Sequence, residues 1–427
     1  MSRRWVTGAL FAVSLTVLCA GPAAAQATPV RMTFREAISR ALDRNPSVKQ
    51  AAEEILRAQA LLQQVGAGSL PSVAGAVNTT SLSQGYSSNG VVITPQNQVV
   101  ASIAAAVPIY APVQWAQRTQ AMDNKQVAEL ASGEVKRQVA YAAAQAYLAV
   151  VARMRVADAN ERARVTALAH YEYARQRRES GAGSRLNELR AQQSLSSVEV
   201  LTELGVAELY RAQEALGVLV AADGPVAAAD EPVLDVPAGV DAARSGLTSA
   251  RTDLRLATGR EKAAERVFND SWKDRLPSVS GVFAPQALYP STTYPDTFNW
   301  RFVLSATVPI FDGGLRSGRR AEREVLLKET RIAFDGLLRQ ANSEVRTAEN
   351  YMMLAERAFT RAQAAAQQAH EVVDIVNVSY KVGASTNIEV IDAQRSALDA
   401  DYESAVAEDR VRQARLALLV ALGRFPQ

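Results

Sequence analysis

The segment YKVGASTNIEVIDAQRSALDA at residues 380–400 contains a glycine turn followed by a helical pattern. A diverged copy, ESGAGSRLNELRAQQSLSS, occupies residues 179–197. Gly383 and Gly181 are 202 positions apart (383 − 181), and an Ala-Gln pair follows each turn at the same distance. Glycine just after a helical pattern is typical of a helix end that reverses the chain. The repetition therefore indicates that one helix–turn–helix unit is encoded twice.

Other landmarks recur in the same order. They are Leu70-Pro71-Ser72-Val73 with Leu276-Pro277-Ser278-Val279, and Val107-Pro108-Ile109 with Val308-Pro309-Ile310. A unit of about 200 residues is too long for a solenoid repeat, so we interpret the chain as an internal duplication. The predicted domains are a first structural repeat at 26–221, a linker or equatorial segment at 222–239 and a second repeat at 240–427.

The N-terminus reads as a secretory signal peptide at residues 1–25. It has a basic start, MSRR, then an apolar run and small residues that end at Ala25. A retained membrane anchor is the alternative, but Gly21, Pro22 and the Ala-x-Ala ending favour cleavage. Cys19 is the only cysteine of the chain. The mature protein therefore has no thiol for disulfides, catalysis or metal binding.

Charge and hydropathy exclude two further classes. The chain has 47 Lys and Arg against 44 Asp and Glu, a net charge of +3. No basic footprint for nucleic acid is present. After the signal no run of about 18 apolar residues occurs, so no transmembrane helix is expected. The exported protein is thus either soluble or a β-barrel in an outer membrane.

Each repeat is predicted to open with short helices. Thr33 and Glu36 form a capping-box pattern, and Asn45-Pro46 is typical of a helix that stops and restarts. The second repeat has Arg251-Thr252-Asp253 at the matching place, without proline. We therefore expect a softer break there, in which the helix is interrupted less sharply than at Asn45-Pro46.

Two strand-like segments follow in each repeat. Apolar residues alternate with smaller or polar ones from Trp300 to Ile310, and more weakly from Val99 to Ile109, which is the period of a strand. Aromatic residues cluster around the second loop, as they do at a membrane interface: Tyr289, Tyr294, Phe298 and Trp300. A soluble hairpin with aromatic core residues is the alternative that stays open.

After the strands each repeat has a helical stretch of roughly 65 residues, then a glycine turn and a second helical stretch of roughly 38 residues. At about 1.5 Å per residue, the longer helix would extend about 100 Å. Such a helix needs a coiled-coil partner. In the second repeat a run with unbroken 3,4 spacing predicts the contact seam. It comprises Leu338, Ala341, Val345, Ala348, Met352, Ala355, Phe359, Ala362, Ala366, Ala369, Val373, Val376 and Tyr380.

Four strands cannot span a bilayer alone, because an open sheet edge leaves backbone groups unpaired in lipid and a small closed barrel needs about eight strands. Several chains must therefore share one barrel. Cyclic symmetry satisfies this need with one kind of subunit contact.

The ordered set of motifs resembles the TolC-like outer-membrane efflux family over nearly all of the mature chain. The motifs are Glu36-Ala37 with Asn45-Pro46, the paired Leu-Pro-Ser-Val and Val-Pro-Ile boundaries, Phe311-Asp312-Gly313-Gly314, and Tyr380-x-x-Gly383 with Asp392-Ala393-Gln394. The resemblance implies a mainly α fold with long antiparallel hairpins forming a helical barrel. It also implies a homotrimer whose four strands per chain complete a shared 12-stranded β-barrel.

What the resemblance implies for function is a passive exit duct of a tripartite efflux or type I secretion system. The duct would lie in the outer membrane of a Gram-negative bacterium and extend into the periplasm. Its expected partners are two further copies, a periplasmic adaptor, an inner-membrane transporter and outer-membrane lipid. No nucleic acid, cofactor, metal or catalytic residue is expected. The cargo stays open among drugs, metal ions and polypeptides.

The resemblance also assigns site residues. The hairpin tips that would contact the adaptor are Gly181, Ala182, Gly183, Gly383 and Ala384. A turn with only a folding role is the alternative.

By position Glu389 and Asp392 match an acidic ring at the periplasmic constriction. Acids that stabilise a helix N-terminus are the alternative for this pair. Tyr380 matches an aromatic latch residue, while the latch arginine and its aspartate partner fall on Ser385 and Asn187. The charged latch is therefore missing.

Two other function classes stay in view. An enzyme is not indicated, because His170 and His370 are the only histidines, neither lies in a metal-ligand motif, and both are expected to be solvated helix residues. A periplasmic coiled-coil adaptor shares the export signal and the long hairpins. An adaptor would normally carry one hairpin, and it would be soluble without detergent.

Overall fold

The computed structural model describes residues 29–236, 246–292 and 295–426. The expected signal peptide at 1–25, Tyr294 and residues 237–245, where the linker meets the second repeat, lie outside the described residues. Eight helices of the described chain are α1 (Phe34–Arg44), α2 (Pro46–Ala67), α3 (Pro112–Glu179), α4 (Arg185–Leu219), α5 (Leu247–Ala250), α6 (Thr252–Asn269), α7 (Leu315–Lys381) and α8 (Asn387–Ala421).

The strands are β1 (Val30–Met32), β2 (Ser72–Ser81), β3 (Tyr86–Ser88), β4 (Val91–Thr94), β5 (Asn97–Tyr110), β6 (Val226–Ala228), β7 (Ser278–Tyr289) and β8 (Phe298–Thr307). A 3₁₀ turn at Asp270–Arg275 leads from α6 towards β7. The order of helices and strands in the second repeat thus follows that of the first.

The predicted start of the first repeat is confirmed. The backbone N–H of Thr33 donates to Glu36 Oε2 at 2.9 Å, and the backbone N–H of Glu36 donates to the Thr33 hydroxyl at 3.3 Å. Asn45 separates α1 from α2, and its side chain accepts the backbone N–H of Ser47 at 2.9 Å. These bonds satisfy N–H groups that a helix start leaves unpaired.

The prediction of a softer break in the second repeat is wrong. Arg251 is extended (ψ 127°), as is Asn45 (ψ 131°), so both helix pairs are interrupted alike. The buried guanidinium of Arg251 fixes this break, since it lies 2.7 Å from the Asp253 carboxylate and 2.8 Å from that of Glu344. An ion network around the buried Arg251 side chain, rather than proline, accompanies the extended backbone there.

The two long hairpins are confirmed. Helices α3 and α7 have 68 and 67 residues, and each is followed by an antiparallel helix of 35 residues. At 1.5 Å per residue α3 extends about 100 Å. Every member of the predicted seam of α7 is buried or half-buried, and Ala341 and Val345 are fully buried. The 3,4 spacing therefore identified the face that contacts α8.

Among the residues that the structure describes, no helix combines the length and the apolar character that a bilayer crossing requires.

The two predicted strand pairs form one antiparallel sheet in the order β2-β5-β7-β8. The register places Val77 opposite Ala101, Ala101 opposite Ala287, and Phe283 opposite Phe302. Strand β5 therefore joins the two repeats by pairing with β7. Within the described chain β2 and β8 each have one partner, so the outer edges of both strands carry no pairing strand. A small hairpin, β3-β4, which the alternation did not predict, extends the loop between β2 and β5.

Strand β8 is shorter than predicted, since it ends at Thr307 and leaves Val308 and Ile310 outside the sheet. Pro309 cannot donate a ladder hydrogen bond, and Arg316 binds its carbonyl oxygen at 2.8 Å. In β5 the equivalent Pro108 is accommodated beside a register shift. The predicted apolar face of β8 is exposed at Trp300, and the Trp300 and Phe283 rings lie 5.9 Å apart.

A compact core at mid-length ties the short elements to the long helices. Strand β1 pairs with β6 in parallel, so the described part of the predicted equatorial segment is attached to the start of the chain. Tyr147 of α3 is fully buried there, and its hydroxyl lies 2.9 Å from the Asp230 carbonyl oxygen and also contacts the Asp230 carboxylate. Burial and the bond to this carboxylate raise the pKa of Tyr147. The same carboxylate accepts the backbone N–H of Phe34 at 2.9 Å.

We predict that Tyr147→Phe lowers the free energy of unfolding by about 1–3 kcal/mol, because buried backbone and carboxylate groups lose a hydrogen-bond partner. Urea unfolding in detergent, followed by the helical circular dichroism signal, measures this. Tyr351→Phe is the matched control, because Tyr351 is 49% exposed. It should change the free energy by less than about 0.5 kcal/mol. Equal effects of the two changes would contradict the role of the Tyr147 hydroxyl.

Candidate functional site: the hairpin tips

The two hairpin turns share one backbone geometry. Gly181 and Gly383 have φ angles of +76° and +83°, which glycine adopts without strain. At the first turn the N–H of Gly181 donates to the Arg178 carbonyl and that of Ala182 to the Arg177 carbonyl, at 3.0 and 2.9 Å. The second turn repeats both bonds at the equivalent positions. Each is a Schellman motif that ends the longer helix and reverses the chain.

Four of the five predicted tip residues are exposed at these turns. Ala182 and Ala384 are exposed, and Gly181 and Gly383 have open space where a Cβ would lie. Gly183 differs, since a Cβ there would lie 3.0 Å from the Arg177 backbone. The structure thus places the predicted contact residues at the ends of both hairpins.

The helices that follow the turns begin differently. Ser184 caps α4 by accepting the backbone N–H of Asn187 at 3.2 Å. Thr386 and Glu389 form a full capping box on α8, in which the Thr386 N–H donates to Glu389 Oε2 at 2.8 Å. Asn187 and Glu389 are 202 positions apart (389 − 187) and hold the same place in the two repeats. Only the second tip has an acid there.

The first tip carries its own charged cluster. Glu188 is 3% exposed, and its carboxylate lies 2.6 Å from Arg178 Nε and 2.5 Å from Arg185 Nη1. Two cations that surround one buried anion satisfy the hydrogen-bonding capacity that burial would otherwise leave unpaired. This cluster joins α3 to α4 within one hairpin and was not predicted.

A separate cluster joins the two hairpins to each other. Asn387 is 3% exposed at the first turn of α8, and its Oδ1 lies 2.9 Å from His170 Nε2 on α3. Its amide nitrogen donates to the Asn187 carbonyl oxygen on α4 at 3.3 Å. One side chain therefore contacts both helices of the other hairpin.

The prediction that both histidines are solvated is wrong for His170, which is 6% exposed. Ala167, His170 and Ala174 follow 3,4 spacing and are all buried, so His170 lies on the packed face of α3. Burial lowers the pKa of His170, and the hydrogen bond to Asn387 opposes this shift. His370 is exposed as predicted, and it contacts the Asp401 carboxylate at 2.9 Å.

Tyr380 lies in the same junction. Its ring centre is 5.6 Å from that of His170 and 5.8 Å from that of Tyr173. The Arg177 guanidinium lies 5.7 Å from the Tyr380 ring centre and 5.9 Å from that of Tyr173, which is a cation–π arrangement. Burial raises the pKa of Tyr380, while Arg177 opposes this shift.

The three predicted latch positions have different surroundings. Tyr380 lies among α3 aromatic residues, and Asn187 takes part through its backbone carbonyl. Ser385 remains within its own turn, where its N–H donates to the Ser379 carbonyl at 3.3 Å. Sequence comparison of the repeats missed Asn387, because its counterpart at the same offset (387 − 202) is Arg185. The signal for His170 is its 3,4 spacing with Ala167 and Ala174, which places it on the packed face of α3.

Glu389 and Asp392 are exposed on one face of α8, and Asp399 and Glu403 continue the same face along the helix. Asp392 also borders a cleft of about 530 Å³ between the two hairpins, near Arg162. The capping box shows that Glu389 stabilises the start of α8.

In the Ala-Gln pairs that recur in both repeats, the alanines are the buried members. Ala191 is fully buried, and Ala393 is 8% exposed and packs against Val373 of the preceding long helix. In the part of the chain that the structure describes, no group of three or more His, Cys, Asp or Glu side chains is arranged to hold a metal ion.

Comparison with solved structures gives the same fold at low sequence identity. A membrane protein from Pseudomonas aeruginosa is 21% identical with a TM-score of 0.78, and the match covers 91% of this chain and 93% of that one. The outer membrane protein VceC of Vibrio cholerae is 20% identical with a TM-score of 0.76, over 91% and 96% of the two chains. The CmeC outer membrane channel of Campylobacter jejuni is 15% identical with a TM-score of 0.79, over 99% and 94%.

Among curated protein sequences nothing matches the chain significantly. The model of the family described as outer membrane efflux protein matches residues 37–222 and 244–424, which is most of the chain and includes both repeats. This match favours an exit channel over the periplasmic adaptor that the sequence left open. The chain belongs to the outer membrane efflux protein family, and it is an exit channel of the outer membrane that extends into the periplasm.

Proposed function

We propose that three copies of this chain form one continuous, passive channel and that the hairpin tips close its periplasmic end. The observation that carries this proposal is the four-stranded sheet, whose two outer edges are unpaired within the described part of the chain. Neither edge can face lipid, because each unpaired N–H and C=O group costs several kcal/mol there. Pairing β8 of one copy with β2 of the next removes all edges. Three copies then contribute 12 strands, within the range of outer-membrane barrels.

Exposed apolar side chains on the long hairpins support the same assembly. Leu354 and Ile375 of α7 are 62% and 66% exposed, and Val200 and Leu204 of α4 are each 58% exposed. These residues lie off the seam that each hairpin buries internally. Large exposed apolar groups along two helices are typical of surfaces that neighbouring subunits cover. The hairpins of three copies would thus form a helical wall below the barrel.

We infer that the channel is a duct and not an enzyme, and that another protein supplies the energy. The two histidines have structural contacts at the hairpins, and the channel family requires no chemical step. The exposed turns at Gly181–Gly183 and Gly383–Ala384 are suited to contact a periplasmic adaptor, which would connect the duct to an inner-membrane transporter. The transporter would select the cargo.

Within this assembly Glu389 and Asp392 are proposed to form an acidic constriction. Both are exposed on one face of α8, directly after the tip, so three copies would place six carboxylates around the throat. Tyr380, Asn187 and Ser385 occupy the latch positions. Neutral groups fill them, so the resting gate should depend weakly on salt, because screening acts on charges.

A trimer is expected in detergent, because the unpaired edges of β2 and β8 can close only between copies. Native mass spectrometry or light scattering with detergent correction measures the number of chains. A folded monomer that keeps its full strand content would contradict the shared barrel.

The constriction is tested by Glu389→Gln with Asp392→Asn. Glutamine retains the capping box, so the double change removes charge without removing the cap. We expect the cation preference of the open channel, measured as a reversal potential under a salt gradient, to fall markedly. Asp399→Asn with Glu403→Gln is the matched control farther along the same face, and its effect should be smaller. An unchanged reversal potential in the first variant would refute the ring.

Charge at the tips should abolish export while leaving the assembly intact. Ala182→Asp with Ala384→Asp places two carboxylates on exposed turns whose backbone bonds do not involve the replaced methyl groups. We expect export activity in cells to be lost and the trimer to form normally. Loss of the trimer would instead show that the turns have a folding role alone.

A further inference from the structure

We propose that His170 and Asn387 fasten the two hairpin tips of each chain together and that proton uptake by His170 releases them, so that the periplasmic end opens in acid. This inference rests on the proposed closure at the tips. It names positioning residues that lie outside the acidic ring and the three latch positions. In this proposal, protonation of a residue of the chain itself opens the neutral gate.

The hydrogen bonds define the protonation state of the closed junction. The Asn187 carbonyl can only accept a hydrogen bond, so the group of Asn387 that faces it, 3.3 Å away, is the amide nitrogen. Asn387 Oδ1 therefore faces His170, and His170 Nε2 carries the proton of the 2.9 Å bond. In the neutral ring Nδ1 is then unprotonated. A second proton would enter at Nδ1 and make the buried ring a cation.

Among the residues that the structure describes, the contacts of the His170 ring are with Asn387 and Tyr380, and neither is a carboxylate. On its own helix Tyr173 and Arg177 lie nearby, and on α7 Tyr380 presents its ring at 5.6 Å. On α4 the nearest acid along the chain is Glu188, which is already bound by two arginines. On α8 the contact is the neutral Asn387, and Glu389 is engaged by the Thr386 N–H. Arg177 lies over the Tyr173 and Tyr380 rings and supplies no negative charge to the junction.

The direction of the pH effect follows from burial. The pKa of His170 in the closed junction is lowered because burial disfavours the imidazolium, while in an open, solvated junction it returns to its ordinary value of about 6.5. The open form therefore binds more protons below about pH 6.5, and closure loses stability as pH falls from there to the lowered pKa. Above about pH 6.5 both forms are neutral and closure has its full stability. Within this window the ratio of closed to open tips falls up to tenfold per pH unit.

Separation of the tips can be measured directly with spin labels. Cys19 is the only cysteine and lies in the predicted signal peptide, so Ala182→Cys with Ala384→Cys gives two unique labelling sites on exposed turns. Labelled chains are assembled with an excess of unlabelled chains, so that each trimer contains at most one pair. Pulsed electron resonance between pH 8 and pH 5 then gives the fraction of separated tips. We expect this fraction to rise several-fold as the pH falls below about 6.5.

The two histidines supply matched variants. His170→Gln retains an N–H that can donate to Asn387 and cannot take up a proton, so its tips should stay together at every pH. His370→Gln should keep the response of the parent chain, because His370 is exposed and lies outside the junction. Asn387→Leu should separate the tips at all pH values. A pH-independent parent chain, or a response that persists in His170→Gln, would overturn the proposal.

A second variant covers the case in which His170→Gln does not assemble. Asn387→Asp removes the N–H that binds the Asn187 carbonyl but places a carboxylate beside His170, which stabilises the imidazolium, so separation of its tips should not increase as the pH falls to 5. Separation of this variant in acid equal to that of the parent would also overturn the proposal. A trimer that conducts normally but shows no pH response rejects this inference alone, whereas absence of the trimer rejects the proposed function.

Discussion

Burial along the whole length of a 100 Å helix is the constraint on which this structure depends. A helix such as α3 extends far beyond any globular core, so its stability requires a partner from end to end. The antiparallel neighbour behind each glycine turn supplies that partner. Alanine at many seam positions lets the two backbones approach closely, and the larger residues Val345 and Phe359 fill the space between alanines. The turn, the seam and the length of each hairpin thus all follow from the need to bury one face of the long helix.

Duplication of this hairpin gives two tips with the same backbone and different chemistry. In both hairpins the longer helix ends in a Schellman motif, and both turns have glycine at the position with a positive φ angle. The side chains have diverged. The first tip buries Glu188 between two arginines, while the second exposes Glu389 in a capping box. One hairpin is therefore fastened internally by charge, and the other presents charge to solvent next to the proposed throat.

Contact between the two tips is of a third kind, because it combines neutral hydrogen bonds with a cation–π contact from Arg177 to Tyr380. Asn387 reaches α3 and α4 with a single amide, and aromatic rings pack around the same point. The hydrogen bonds of Asn387 involve no charged group and so depend little on salt, but they require each group to keep its protonation state. In the sheet, strands β5 and β7 pair with each other and so join the two repeats within the chain. The outer edges of β2 and β8 are left for contacts between chains.

The sequence by itself determined the repeated helix–turn–helix unit, the helical seam, the capping box and the number of long strands. These features follow from local periodicity and from residues whose backbone preferences are strong, such as Gly383, Asn45 and Pro46. The assignment of the family also rested on the order of such motifs. Most of the fold was predictable for this reason.

What only the tertiary structure decided was which polar groups are brought together from distant parts of the chain. His170 and Asn387 are 217 positions apart, and neither lies in a motif that predicts the other. Arg251, at the break between α5 and α6, forms an ion pair with Glu344 of the long helix α7. Pro309 ends β8, whereas the equivalent Pro108 remains within β5. In each case the outcome depends on burial and on partners that packing supplies, and a local sequence pattern contains neither.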